Sequence, residues 1–159
     1  MKSLNLTKPP VARSAMLVRK PVAEVFEAVI DPAMTSHFWF TKGSGRLAVG
    51  KTVRWDWEMY DVTAEVTATT IEPKKLIVME WPGYSGRTTV TWKFREVADG
   101  TFVEVEESGW TGTGDDLVKF VRDSTEGFSW TLAGMKGFLE RGLELSFVAD
   151  RFPKGVERC

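Results

Sequence analysis

"KPVAEVFEAVIDPAMTSHFWF", residues 20–40, changes character twice in a short span. Pro21 suits the first turn of a helix, where its missing N–H would have no partner anyway. Val22, Val25, Phe26 and Val29 follow at offsets of three, four and seven, which predicts an amphipathic helix. Asp31-Pro32 stops that helix and starts a second, short one, with Asp31 as its cap. The second helix runs into His37-Phe38-Trp39-Phe40, four ring-bearing side chains in a row. Lys42-Gly43-Ser44-Gly45 then reads as a turn.

On either side of this stretch the pattern is that of strands. Upstream, residues 11–19 alternate as one strand, and residues 1–10 read as a tail ending in Pro9-Pro10. Downstream, from Leu47 to Trp110, the apolar period becomes two. Val53, Trp55, Trp57 and Met59 alternate with Arg54, Asp56, Glu58 and Tyr60. Val62, Ala64, Val66 and Ala68 form the next face, Leu76 to Trp81 a further strand, and Val90, Trp92 and Phe94 another. Asp99-Gly100 is a hairpin signal, followed by Val103 and Val105. Short links between consecutive strands require an antiparallel sheet.

The period returns to that of a helix after the Gly112/Gly114 loop. A short helix containing Leu117, Phe120 and Val121 is expected, capped by Asp115 or Asp116. A long helix is expected from about Ser124 to Phe147, with an apolar stripe of Phe128, Leu132, Met135, Leu139 and Leu143. Gly134 and Gly137 each cost a helix roughly 1 kcal/mol against Ala. Their presence there predicts close packing against the helix backbone. Such a helix is long enough to lie along a whole curved sheet. Residues 11–147 are therefore expected to form one domain, and 148–159 a second tail.

Composition removes several function classes. The 159 residues carry a net charge of −1, which does not suit a general polyanion binder, and no aromatic-interleaved basic patch suggests nucleic acid. One histidine and one cysteine, Cys159, leave no ligand set for a metal and no internal disulfide. No apolar run approaches a membrane span, and the first residues lack the apolar core of a secretion signal. A cytoplasmic location is the expectation, and no cofactor is expected. GxSxG and Walker motifs are absent.

The words in this order resemble the SRPBCC superfamily, in the branch related to the activator of the heat-shock chaperone ATPase. Pro21, Val25-Phe26, Asp31-Pro32 and Trp39-Phe40 carry the opening of that resemblance. Gly50, Ile71-Glu72-Pro73, Trp81, the strand "VEVEESGW" and "WTLAGMKGFLERG" from Trp130 to Gly142 carry the rest. The resemblance covers about residues 12–147. It implies an α+β helix-grip fold, a curved antiparallel sheet of about six to seven strands wrapped around the long C-terminal helix. Relatives include START domains, the birch-pollen allergen group and aromatic polyketide cyclases. They commonly hold an apolar ligand between sheet and helix. The superfamily has no shared catalytic set, so no catalytic residue is carried over.

Seven Trp and ten Phe fill a large core or line a cavity. The residues expected around a cavity are Trp39, Phe40, Trp55, Trp57, Met59, Trp81, Trp92, Phe94, Phe128, Leu132, Met135 and Leu139. For Trp39 and Phe40 a plug closing one end of the grip is the favoured reading over a ligand-contacting wall. Glu107 shares a strand face with Val103 and Val105 if the strand stays regular, which points a carboxylate at the helix. There it would bind a ligand hydroxyl or act as a general acid or base. On residues alone, a bulge or strand end that turns Glu107 outward is the preferred reading. The leading functional expectation is binding of a small apolar or amphipathic ligand, its polar contacts supplied by groups such as Tyr60, Tyr84 or Glu107. A cavity enzyme using Glu107 and a chaperone-partner module are the alternatives, the latter by family analogy only. Homodimerisation is left open.

Overall fold

The computed structural model describes residues 2–157; Cys159 lies outside them. Seven strands form one antiparallel sheet in the order β1-β7-β6-β5-β4-β3-β2. They are β1 (Ala12–Val18), β2 (Lys42–Gly43), β3 (Thr52–Trp57), β4 (Val62–Glu72), β5 (Leu76–Gly83), β6 (Gly86–Val97) and β7 (Gly100–Ser108). Two short helices, α1 (Val22–Ile30) and α2 (Pro32–Thr35), follow β1, and α3 (Gly114–Arg141) follows the sheet. This is the helix-grip arrangement: a curved sheet against one long helix.

Each element follows from local chemistry. The Asp31 side chain accepts the Ala33 N–H at 2.9 Å and caps α2. β3 is inward at Val53, Trp55 and Trp57 and outward at Thr52 and Arg54, the half-buried pattern of period two. Lys42 and Gly43, expected in a turn, pair with Asp56 and Trp55 as a two-residue edge strand. Met59, expected on the β3 face, lies instead in a single 3-10 turn, Glu58–Tyr60, because β3 ends at Trp57. Asp61 closes that turn in the left-handed region, at φ 51°.

The long helix differs from expectation at both ends. It is continuous from Gly114 and has no break near Ser124. Thr113 caps it, with Asp116 as the reciprocal partner of a capping box, rather than either aspartate acting as cap. The polar run Asp123-Ser124-Thr125 mimics a helix start, but its hydroxyls are used otherwise. Ser124 turns into the sheet, and Thr125 donates to the Val121 carbonyl one turn back. The helix stops at Gly142, in the left-handed region at φ 66°, with its N–H on the Phe138 carbonyl at 2.8 Å. At ~1.5 Å per residue its 28 residues span about 42 Å.

Helix α3 docks on β1. Ser14 pairs with Ser129 at 2.7 Å, and the Lys136 ammonium donates to the Leu17 carbonyl at 2.8 Å. Gly134 is the close-approach point. A Cβ there would lie 3.2 Å from both the Cβ and the carbonyl oxygen of Phe38, so the aromatic run that follows α2 sits directly on the backbone of α3 at this point. Phe128, Leu132, Met135 and Leu139 enter the core from α3.

Residues 147–152 pack back onto the domain rather than leaving it as a tail. Helix α4 (Phe147–Asp150) stacks Phe147 on Trp130. The Tyr60 hydroxyl donates to the carbonyls of Val148 and Ala149 and accepts the Phe152 N–H. At the other end of the chain, the Leu4 N–H reaches the Asp115 carboxylate at 3.3 Å. No helix among the described residues is long and apolar enough to cross a membrane.

Candidate functional site

The aromatic run at residues 38–40 is buried, and Trp39 also borders the hollow. Trp39 is the hub. Its ring centroid lies 5.0–6.0 Å from those of Phe40, Trp55, Trp57, Trp81, Trp92 and Phe128. Most of these contacts are tilted or edge-on, the arrangement the ring quadrupoles favour. Phe40 stacks on Trp55 at 4.6 Å.

Beside this cluster lies a hollow of about 350 Å³. Trp39, Trp57, Trp81 and Phe128 form its apolar walls, with Ala64 leaving room on β4. Trp81 from the sheet and Phe128 from the helix stack on each other at 5.9 Å. Val62 and Tyr84, both more than two-fifths exposed, mark its open side. The segment Val148–Phe152 lies along that opening with Tyr60.

The remaining cavity candidates have other places. Phe40, Trp55, Trp92, Phe94, Leu132, Met135 and Leu139 are buried in the packed core and do not line the hollow. Met59 is partly buried outside it. The aromatic content therefore divides between a filled interior and one hollow at its edge. Ala64 borders the hollow, whereas Ala68 is fully buried among core side chains.

Glu107 corrects the preferred sequence reading. β7 pairs without interruption with β6 from Gly100 to Ser108, so no bulge turns the side chain outward. Glu107 is 4% exposed and lines the hollow. Three donors hold it. Trp81 Nε1 and Thr88 Oγ1 each donate to Oε2 at 2.6 Å, and Ser124 Oγ donates to Oε1 at 2.6 Å. A buried carboxylate needs such partners, because desolvation without them costs several kcal/mol. The cluster joins β5, β6, β7 and α3 at one point. Its members are far apart in sequence, which is why strand periodicity gives the face of Glu107 but not its partners.

Sequence reasoning did not reach the charged mouth. Arg151 donates to the Asp123 carboxylate at 2.7 Å and its carbonyl at 3.0 Å, and to Glu126 at 3.3 Å. The hydrogen bond from Arg151 holds the Glu126 carboxyl below its ordinary value. Asp123, Arg151 and Phe152 all border the hollow. Asp123 is not among the candidates found in the sequence. Its role depends on a residue beyond the expected domain boundary. His37, the one histidine, is exposed, stacks on Phe138 at 4.4 Å and pairs with Glu144, away from the hollow. No group of three His, Cys, Asp or Glu side chains among the described residues could hold a metal.

Chemically, the arrangement is an aromatic-walled hollow with one buried carboxylate and a salt-bridged mouth. Comparison with known proteins agrees with this fold. A Staphylococcus saprophyticus protein of known structure is 30% identical, with a TM-score of 0.74 over 86% of this chain and 96% of that one. DynU16, a protein of the dynemicin biosynthetic locus, is 24% identical with a TM-score of 0.74. That match covers 84% of this chain but only 48% of DynU16. The Aha1 dimer from Colwellia psychrerythraea is 19% identical with a TM-score of 0.72, over 84% of this chain and 98% of that one. No curated protein sequence matches. Residues 19–140 match the family described as Activator of Hsp90 ATPase homolog 1-like protein, and the chain belongs to that family, within the SRPBCC superfamily.

Proposed function

We propose that this protein binds a small, flat, apolar or amphipathic molecule in the hollow between the sheet and α3. The observation that carries this reading is a hollow walled by Trp39, Trp57, Trp81 and Phe128 whose polar end is one buried carboxylate, Glu107. A volume of about 350 Å³ falls at the small end of the ~300–1,000 Å³ range of ligand pockets. Affinity comes from burying apolar area, at ~25 cal/mol per Å². Three indoles at the wall supply both area and a spectroscopic reporter.

The test is a titration of intrinsic tryptophan emission with lipids, sterols and polyketide-like aromatics. A saturable shift with a flat aromatic probe supports the reading. It should disappear in Ala64→Leu, which fills the hollow. No response from any probe overturns it.

A cavity enzyme is a second reading, favoured by one observation: Glu107 is buried and borders the hollow together with Ser124. The carboxylate is the acid–base candidate in that case. It is distinguished from simple binding by chemical conversion of a bound probe, followed by mass spectrometry.

A further inference from the structure

We infer that the ligand of this hollow presents a hydrogen-bond donor, such as a phenol hydroxyl, to Glu107 Oε1, and that anionic ligands are rejected there. This rests on the reading that the hollow binds a ligand. It adds the chemical class.

The argument is a count of acceptor sites. A carboxylate offers about four lone-pair directions, two on each oxygen. Oε2 accepts from Trp81 and from Thr88, and both of its directions are taken. Oε1 accepts only from Ser124, so one direction remains on that oxygen. The residue lines the hollow, and Ser124 lines it too. Ser124 spends its only proton on Glu107, so towards the hollow its oxygen can only accept. The polar end of the slot thus offers acceptors on both neighbouring groups.

Tyr60, Thr131 and Arg151 also border the hollow, and each has donors engaged elsewhere. The Tyr60 hydroxyl proton goes to the carbonyls of Val148 and Ala149. The Thr131 hydroxyl donates to the Gly127 carbonyl at 3.0 Å, one turn back. Arg151, the cation that borders the hollow among the described residues, is engaged by Asp123 and Glu126 at the mouth. A carboxylate or ether oxygen placed against Glu107 Oε1 and Ser124 Oγ would meet an acceptor on each of them. A hydroxyl or amine on a flat ring meets an acceptor with a vacant direction. Specificity of this kind is large, because an unmatched buried polar group forfeits its hydrogen bonds to water.

The experiment uses the full chain and three ring-matched probes: naphthol, its methyl ether and naphthoate. Their dissociation constants are measured by calorimetry. Naphthol should bind about tenfold more tightly than the methyl ether, the value of one hydrogen bond to a charged group. Naphthoate should be the weakest. Glu107→Gln turns one oxygen into a donor and should shrink the naphthol preference towards unity. Ser124→Ala keeps the carboxylate and frees a second direction on Oε1, so it should preserve or enlarge the preference. That variant also decides the matter if Glu107→Gln does not fold.

Equal affinity for naphthol and its ether in the native chain overturns the inference while leaving ligand binding intact. So does a preference that Glu107→Gln leaves unchanged. Failure of all three probes to bind removes the reading on which the inference stands, and the inference with it.

Discussion

Trp81 and Glu107, 26 positions apart, are joined by an indole N–H donated to a buried carboxylate oxygen at 2.6 Å. Thr88 reaches the same oxygen from the neighbouring strand, and Ser124 reaches the other oxygen from the helix. A wall of the hollow is therefore fixed by the group that gives the hollow its polarity. Trp81 cannot rotate away without leaving Glu107 short of a donor.

This coupling makes the cluster a stability element. Glu107→Leu removes the acceptor of three donors and should destabilise the fold by about 2–3 kcal/mol, despite the added apolar surface. Thr88→Val removes a single donor and should cost less, about 1–2 kcal/mol. Urea denaturation followed by far-ultraviolet circular dichroism measures both. Equal and negligible effects would show that the carboxylate is not held as described.

Trp39 should be the most sensitive aromatic position. It touches six other rings and is 6% exposed. Trp39→Ala should cost about 3–5 kcal/mol, and Trp39→Phe roughly half of that. Thermal unfolding midpoints give the comparison. A Trp39→Ala protein of native stability contradicts its role as the hub of the aromatic core.

Gly134 should not tolerate a branched side chain. Its missing Cβ is what lets Phe38 rest on α3. Gly134→Val places a branched side chain against backbone and should destabilise by about 1–3 kcal/mol. Its Ala counterpart sets a helix-propensity gain of ~1 kcal/mol against a contact tighter than most. Chemical denaturation of the pair separates propensity from packing.

The strap over the mouth should loosen in acid. Arg151 holds the Glu126 carboxyl below its ordinary value by a hydrogen bond. A depressed folded value contributes stability above the unfolded value and loses it as pH falls through the folded one. The strap should therefore be fully latched above about pH 4.3, the ordinary glutamate value, and release progressively below it. The stacked pair Trp130 and Phe147 reports on it through tryptophan emission. Arg151→Ala should show a loosened strap at neutral pH and a weaker acid transition. An unchanged transition in that variant contradicts the latch.

How much of this is legible in the sequence depends on the range of the interaction. Strand faces at Val53-Trp55-Trp57 and Val90-Trp92-Phe94 are legible, because period two is a local consequence of the pleat. The close approach at Gly134 is legible too, because glycine inside a helix is costly without a reason. β2 is not, since two paired residues leave no period to read. The unbroken course of α3 is masked by Asp123-Ser124-Thr125, whose hydroxyls serve the sheet and the preceding turn rather than a cap. Within the hollow, Trp39, Trp57, Trp81, Glu107 and Phe128 are found among the candidates, but so are seven side chains that pack solidly elsewhere in the core. Period two assigns a face; it does not say whether the space beyond that face is filled. The inward carboxylate of Glu107 runs against burial cost until its donors at 81, 88 and 124 are known. Arg151 is invisible because nothing local marks its return to the mouth.

The most direct measurement is a nitrogen–proton correlation spectrum of the tryptophan indoles during titration with naphthol. Guest entry into the slot should move the N–H signals of Trp39, Trp57 and Trp81 together, with one saturating constant, and leave that of Trp110 in place, since Trp110 is buried away from the hollow. Signals that stay still at saturating probe, or movement confined to indoles outside the slot, would contradict the account.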